Sequence, residues 1–214
     1  MKADIVLRPA RLQDAAAAVR LIRLSMGDEI DWLFGQEAGH PADEVVAELY
    51  ARRGNRVSHE FCWAAELGGK AVGLLLAYPG AWLRRLELRT GWHLLAILGL
   101  GGTIRLARRQ PQYGSLVESE KDEYYVSNLA VDPELQGQGI GAALLEQADR
   151  EARKQGLDKC SLIVTYDNPA RRLYERSGYR VERSFPIDHP VLAHGSGGFH
   201  RMVKDLSVEK AGNA

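Results

Sequence analysis

The chain has 214 residues, with 28 Lys+Arg against 28 Asp+Glu, so its formal net charge is zero. That balance gives no overall pull toward nucleic acid or an acidic membrane. The 45% hydrophobic share supports a real core, and the length suits one compact domain.

Cysteine stands only at Cys62 and Cys160, each in an apolar, strand-like run. That pattern points to buried reduced thiols and a cytoplasmic setting. No CxxC pair or His/Cys cluster offers a metal site. The opening MKADIVLRPA is charged but has no apolar core segment, so it does not read as a secretory signal.

Residues 5–7 read as a first strand that Arg8-Pro9-Ala10 ends. Asp14 is placed to cap a helix over 15–25, with Ala18, Leu21, Ile22 and Met26 as its apolar face. Residues 28–39 are less regular and carry Trp32 and Phe34. A second helix is predicted over 41–53, with Pro41 near its first turn. Residues 60–66 and 71–78 read as strands of a hairpin turned by Gly68-Gly69-Lys70. Residues 79–121 are the hardest to parse. Residues 82–85 and 92–107 look helical, and the apolar run 92–100 is too short to cross a bilayer and is broken by Gly99, Gly101 and Gly102. A core-packed helical insertion around 80–120 is expected. A lid and a homodimer contact stay open beside it. Arg105, Arg108 and Arg109 form a basic cluster at its end.

The most informative stretch follows. Residues 124–131, YYVSNLAV, suit a buried strand, and AALLEQADREAR suits a helix. Between them lie Gly137, Gly139 and Gly141. A strand turning through alternating glycines into a helix leaves several N–H groups facing one way. The helix dipole adds about half an elementary charge there. That is a backbone-built site for a phosphate or pyrophosphate. The spacing Gly137-x-Gly139-x-x-Ala142 formally fits a dinucleotide fingerprint, but residues 132–136 intervene after the strand and no second βαβ half follows. No Gly-Lys-Ser/Thr follows, so a Walker loop is excluded. Beyond it, 159–165 reads as a strand, Asn168-Pro169 opens a short helix to Arg176, and 179–185 and 199–206 read as strands. Residues 207–214 are expected to fray.

Gln136-Gly137-Gln138-Gly139-Ile140-Gly141 resembles the Q/R-x-x-G-x-G/A signature of the GNAT acetyltransferases. Leu129-Ala130-Val131-Asp132-Pro133 resembles the family's strand-to-loop lead-in. About thirty residues on, Asn168 to Tyr179 is similar to its N-x-x-A-x-x-L-Y-x-x-x-G-F/Y segment. Together these cover residues 124–181 well and the N-terminal half only in general pattern.

The resemblance implies one domain over 1–206 with a mixed α/β sheet, mostly antiparallel, carrying one parallel βαβ unit. It implies acetyl-CoA as cosubstrate, with an amine-bearing acceptor and no metal. Leu129, Ala130 and Val131 would pair with the pantetheine arm. Gln136, Gly137, Gln138, Gly139, Ile140, Gly141 and Ala142 would form the pyrophosphate loop, and Asn168 would hold the arm or its own loop. Tyr174 would be the general acid toward the CoA sulfur. Many relatives carry a glutamate where this chain has Ser127 and Asn128, so the base stays open between Glu123, Glu66 and a water relay held by Asn128. Trp32 and Phe34 fall where the family borders its acceptor. An acyl-CoA-binding or sensing module without turnover, or an interaction domain on the same fold, is the alternative to an enzyme.

Overall fold

Seven strands form one sheet in the computed structural model, which describes residues 5–34, 41–108, 116–187, 191 and 196–207. They are β1 Val6–Pro9, β2 Cys62–Leu67, β3 Lys70–Pro79, β4 Tyr124–Val131, β5 Lys159–Thr165, β6 Arg180–Pro186 and β7 Gly198–Asp205. Their spatial order is β1-β2-β3-β4-β5-β7-β6. Neighbours run antiparallel except β4 and β5, the pair joined through α5 Ile140–Lys154. This is the mixed sheet that the resemblance implies.

β3 shows why the apolar run GLLLAY is continuous rather than alternating. Leu74, Leu76 and Tyr78 point to one face, where they meet Leu21 and Ile22 of α1 Ala15–Met26 and Val46 and Tyr50 of α3 Ala42–Ala51. Leu75 and Ala77 point to the other face, among Leu144, Leu145 and Ala148 of α5. Successive strand residues face opposite ways, so a strand covered on both sides must be apolar throughout. Cys62 and Cys160 are buried in these two layers, and burial pushes both thiols up, away from the reactive thiolate.

Local chemistry sets the element ends. α5 closes with Gly156 at φ 73°, its N–H bonding Arg153 O while Leu157 N–H bonds Ala152 O. Asp14 precedes α1 as expected, but its carboxylate does not cap the helix. It accepts instead from the Arg8 guanidinium at 2.7 and 2.9 Å and from Arg11 N–H at 2.7 Å. A charged two-pronged donor is the stronger partner. Pro41 is the N-cap of α3 rather than its first helical residue. β2 starts two residues later than expected, because Ser58 caps a 3-10 turn over His59–Phe61. Residues 28–34 are more regular than expected, forming α2 Glu29–Phe34. The short helix after Asn168 is α6 Arg171–Arg176.

Between β3 and β4 lies α4 Leu83–Ala107, bent at Gly99 with φ 66° and ψ 179°. Its Leu94 and Leu106 bury against Val45 and Leu49 of α3. Core packing therefore describes one side of the insertion only, since Leu88, Trp92 and Leu100 are exposed. No described helix is long and apolar enough to cross a membrane. Residues 35–39 of the irregular stretch, Arg109 and residues 208–214 of the expected frayed tail lie outside the described residues.

Candidate active site

The two parallel strands pair over three positions only, Tyr124 with Cys160, Tyr125 with Ser161 and Val126 with Leu162. Past that point β4 keeps its partner β3 on one edge, through Val131 opposite Gly73. Its other edge no longer pairs with β5. The parting coincides with a bulge. Opposite Leu76 and Ala77 of β3 stand Asn128 and Val126, leaving Ser127 as the extra residue. A bulge bends its strand and tightens the twist, which swings the end of β4 away from β5. Leu129, Ala130 and Val131 thus lie along an open strand edge that lines a cleft.

The loop after β4 closes one end of the cleft. Its own backbone bonds stop at Gln136 N–H to Pro133 O and resume at Ala143 N–H to Gly139 O. No side chain caps the first turn of α5. Among the described residues, nothing in the protein takes the intervening row of amides. Gly137 and Gly139 have φ of 76° and 86°, where a side chain is strained, while a Cβ on either would meet open space. Gly141 serves differently, because its Cβ would stand 2.9 Å from Leu173 of α6. A side chain there would have to displace the end of Leu173.

Not every expected loop residue faces the cleft with its side chain. Ile140 is buried in the core beneath α5, so only its backbone is available. Gln138 is exposed and does not line the cleft. Gln136 does line it, and its amide nitrogen donates to Val131 O at 3.1 Å, tying the loop to the strand.

Asn168 and Tyr174 line the cleft from the opposite wall. Asn168 Oδ1 accepts from Ala170 N–H at 2.8 Å, shaping the turn that starts α6. Tyr174 is buried and packs edge-on against Tyr179, ring centroids 6.2 Å apart. Burial pushes its hydroxyl up to about 12, so it keeps its proton at any ordinary pH.

The two carboxylates considered as bases are elsewhere. Glu123 is buried at the far end of β4, both oxygens 2.5 Å from Arg201 Nη2. Burial alone would raise its carboxyl, but Arg201, the Glu120 amide and a serine hydroxyl outweigh this and hold it below the usual range. Glu66 is held by Arg8 Nε at 2.5 Å and lies outside the cleft. Ser127 and Asn128 do line it, with Asn128 Nδ2 donating to Ser25 Oγ at 2.8 Å.

The other end of the cleft holds groups that no motif announced. Arg56 donates to Glu118 at 2.6 Å and to the Tyr78 hydroxyl at 3.2 Å, with Glu87 at 3.4 Å. Glu29, buried on α2, lines the same wall, as do Tyr125 and Phe34. Trp32 packs instead beside Ile187 and Phe199. Arg105 and Arg108 are exposed and outside the cleft lining. The whole cleft measures about 2300 Å³, beyond the roughly 300–1000 Å³ of a single small-ligand pocket. It has room for two ligands. Among the described residues no group of His, Cys, Asp and Glu could hold a metal.

The chain is 47% identical over 77 residues to mycothiol acetyltransferase of Beutenbergia cavernae, covering 36% of this chain and 22% of that one. It is 44% identical over 59 residues to the ribosomal protein bS18 alanine N-acetyltransferase of Escherichia coli K12, covering 27% and 40%. Both matches span less than two thirds of those relatives. The solved N-acetyltransferase of Staphylococcus aureus Mu50 shares the fold, with a TM-score of 0.66 at 19% identity over 92% of this chain and 99% of that one. The profile of the acetyltransferase (GNAT) family matches residues 26–179, most of the chain, and the protein belongs to that family.

Proposed function

We propose that this chain transfers an acetyl group from acetyl-CoA to a primary amine by direct attack. One observation carries the reading: an open edge of β4, a row of unbonded loop amides and Tyr174 share one cleft. Acetyl-CoA supplies the activated acetyl group as a thioester. The amides of residues 137–142 suit its diphosphate, the helix dipole adding partial positive charge. The free N–H and C=O groups of Leu129 to Val131 suit an extended arm added as a strand would be. Tyr174, kept neutral by burial, holds the proton that a departing thiolate needs.

An attacking amine must first be neutral. Glu123 and Glu66 are ion-paired away from the cleft, which favours a relay through water held near Ser127 and Asn128, with the Glu118 and Glu29 carboxylates on the same wall. Calorimetry with acetyl-CoA, followed by thiol release across a panel of primary amines, tests the reading. Binding with acceptor-dependent release is expected. Binding without release for any amine would favour a sensing module, and no binding at all would end the proposal.

A further inference from the structure

α4 is apolar on opposite sides but covered on only one. Its inner side buries Leu86 and Leu94. Leu88, Trp92 and Leu95, spaced i, i+4 and i+7, share one outer stripe, with Leu88 64% and Trp92 71% exposed. Beyond the bend, Leu100 at 68% and Ile104 at 44% continue the exposed apolar set. Large apolar side chains exposed together on one helix mark a surface that meets a partner or a membrane. Residues 83–108 also carry five arginines against one glutamate, Glu87, which sits against Arg56. Arg84, Arg85, Arg89, Arg105 and Arg108 are all exposed. The zero charge of the whole chain hides this local excess.

We infer that the outer face of α4 lies on an anionic lipid surface, its leucines and Trp92 entering the interface while the arginines meet headgroups. Exposed aromatic and aliphatic side chains bordered by arginine are what an interfacial helix needs, and none of this requires a span. A second copy of the chain is the rival occupant, but the exposed arginines outnumber the acidic partners that this face itself offers, and an anionic surface supplies them. The inner side of the same helix contributes Leu83 and Leu94 to the acceptor end of the cleft, and the exposed Arg84 and Leu88 border it. A surface engaged by the outer face thus reaches the rim of the cleft, since Leu88 belongs to both. The inference does not depend on the chemistry proposed above.

Vesicle co-sedimentation tests it. The wild-type chain is expected to pellet with phosphatidylcholine vesicles containing phosphatidylglycerol, to stay in solution with phosphatidylcholine alone, and to be released by high salt. Trp92→Ser and the pair Arg85→Glu with Arg105→Glu should each weaken partitioning at least about tenfold while the melting temperature stays unchanged. Trp92→Phe should restore binding. Failure to pellet with anionic vesicles, or equal pelleting with neutral ones, overturns the inference on the wild-type chain alone. Sedimentation velocity without lipid covers the rival occupant: self-association abolished by the same substitutions would assign the face to a second copy and overturn it too.

Discussion

The two ends of the cleft are made of different material. At the end proposed for the cofactor the available groups are main-chain amides between Gly137 and Ala142 and the bare edge of β4. At the end proposed for the acceptor they are side chains brought from three separate places, Glu29 on α2, Arg56 after α3, and Glu118 before β4. Backbone groups are the same in every residue, so their geometry has to be enforced by glycine and by strand and helix limits. Side chains carry their chemistry in their identity and can come from anywhere the fold reaches.

Tyr174→Phe probes the hinge between the two ends and should give the largest effect. It removes the proton but leaves the ring against Tyr179. Turnover is expected to fall by roughly 10²–10⁴-fold with acetyl-CoA affinity unchanged. Stopped-time thiol assays and calorimetry on the same preparation separate the two quantities. A fully active variant would remove the acid role.

Gly139→Glu attacks the backbone end alone. The substitution puts a side chain at φ 86°, which costs about 1–2 kcal/mol, with its Cβ in open space. The new carboxylate would stand where the diphosphate belongs. We expect acetyl-CoA affinity to drop about 100-fold or more while the fold survives, read by calorimetry and thermal melting. Gly139→Ala carries the strain without the charge and should lose far less affinity.

Glu118→Gln acts on the other end and should give a smaller change, about tenfold in acceptor KM, with acetyl-CoA binding untouched. It also leaves Arg56 with a weaker partner at 2.6 Å, so a modest loss of stability should accompany it. Equal damage to both substrates would mean that the two ends are not independent.

The contrast also explains what the sequence could announce. The glycines at 137 and 139 were legible because only a positive φ at each gives that loop. Asn168 and Tyr174 stand out in the sequence through the 168–179 motif, and the structure puts both on the cleft lining. The bulge at Ser127, which opens the strands, left no mark in the sequence, since any residue can be the extra one. Arg56 and Glu118 are 62 residues apart, and nothing local ties them together. Glu123 read as a candidate base because its partner Arg201 lies 78 residues away. Gly141 differs from Gly137 and Gly139, because a Cβ there would meet the end of the Leu173 side chain rather than open space.

The smallest predicted effect concerns alkaline pH. Burial raises the Tyr174 hydroxyl from an ordinary value near 10 to about 12. In the unfolded chain that hydroxyl ionises first, so the unfolded state gains from rising pH before the folded one does. Stability from this group is therefore complete below about pH 10 and declines as pH climbs toward 12, by about 1.4 kcal/mol per unit across that window. Tyr50, Tyr78, Tyr124, Tyr125 and Tyr179 shift in the same upward direction, mainly through burial. Urea titrations at pH 8 and pH 11 should show the wild type losing stability at the higher pH, and Tyr174→Phe losing about 1.4 kcal/mol less. The rate should show no decline from Tyr174 ionisation between pH 7 and 10, since the hydroxyl keeps its proton throughout. A loss of turnover in that range would have to arise from a group other than Tyr174.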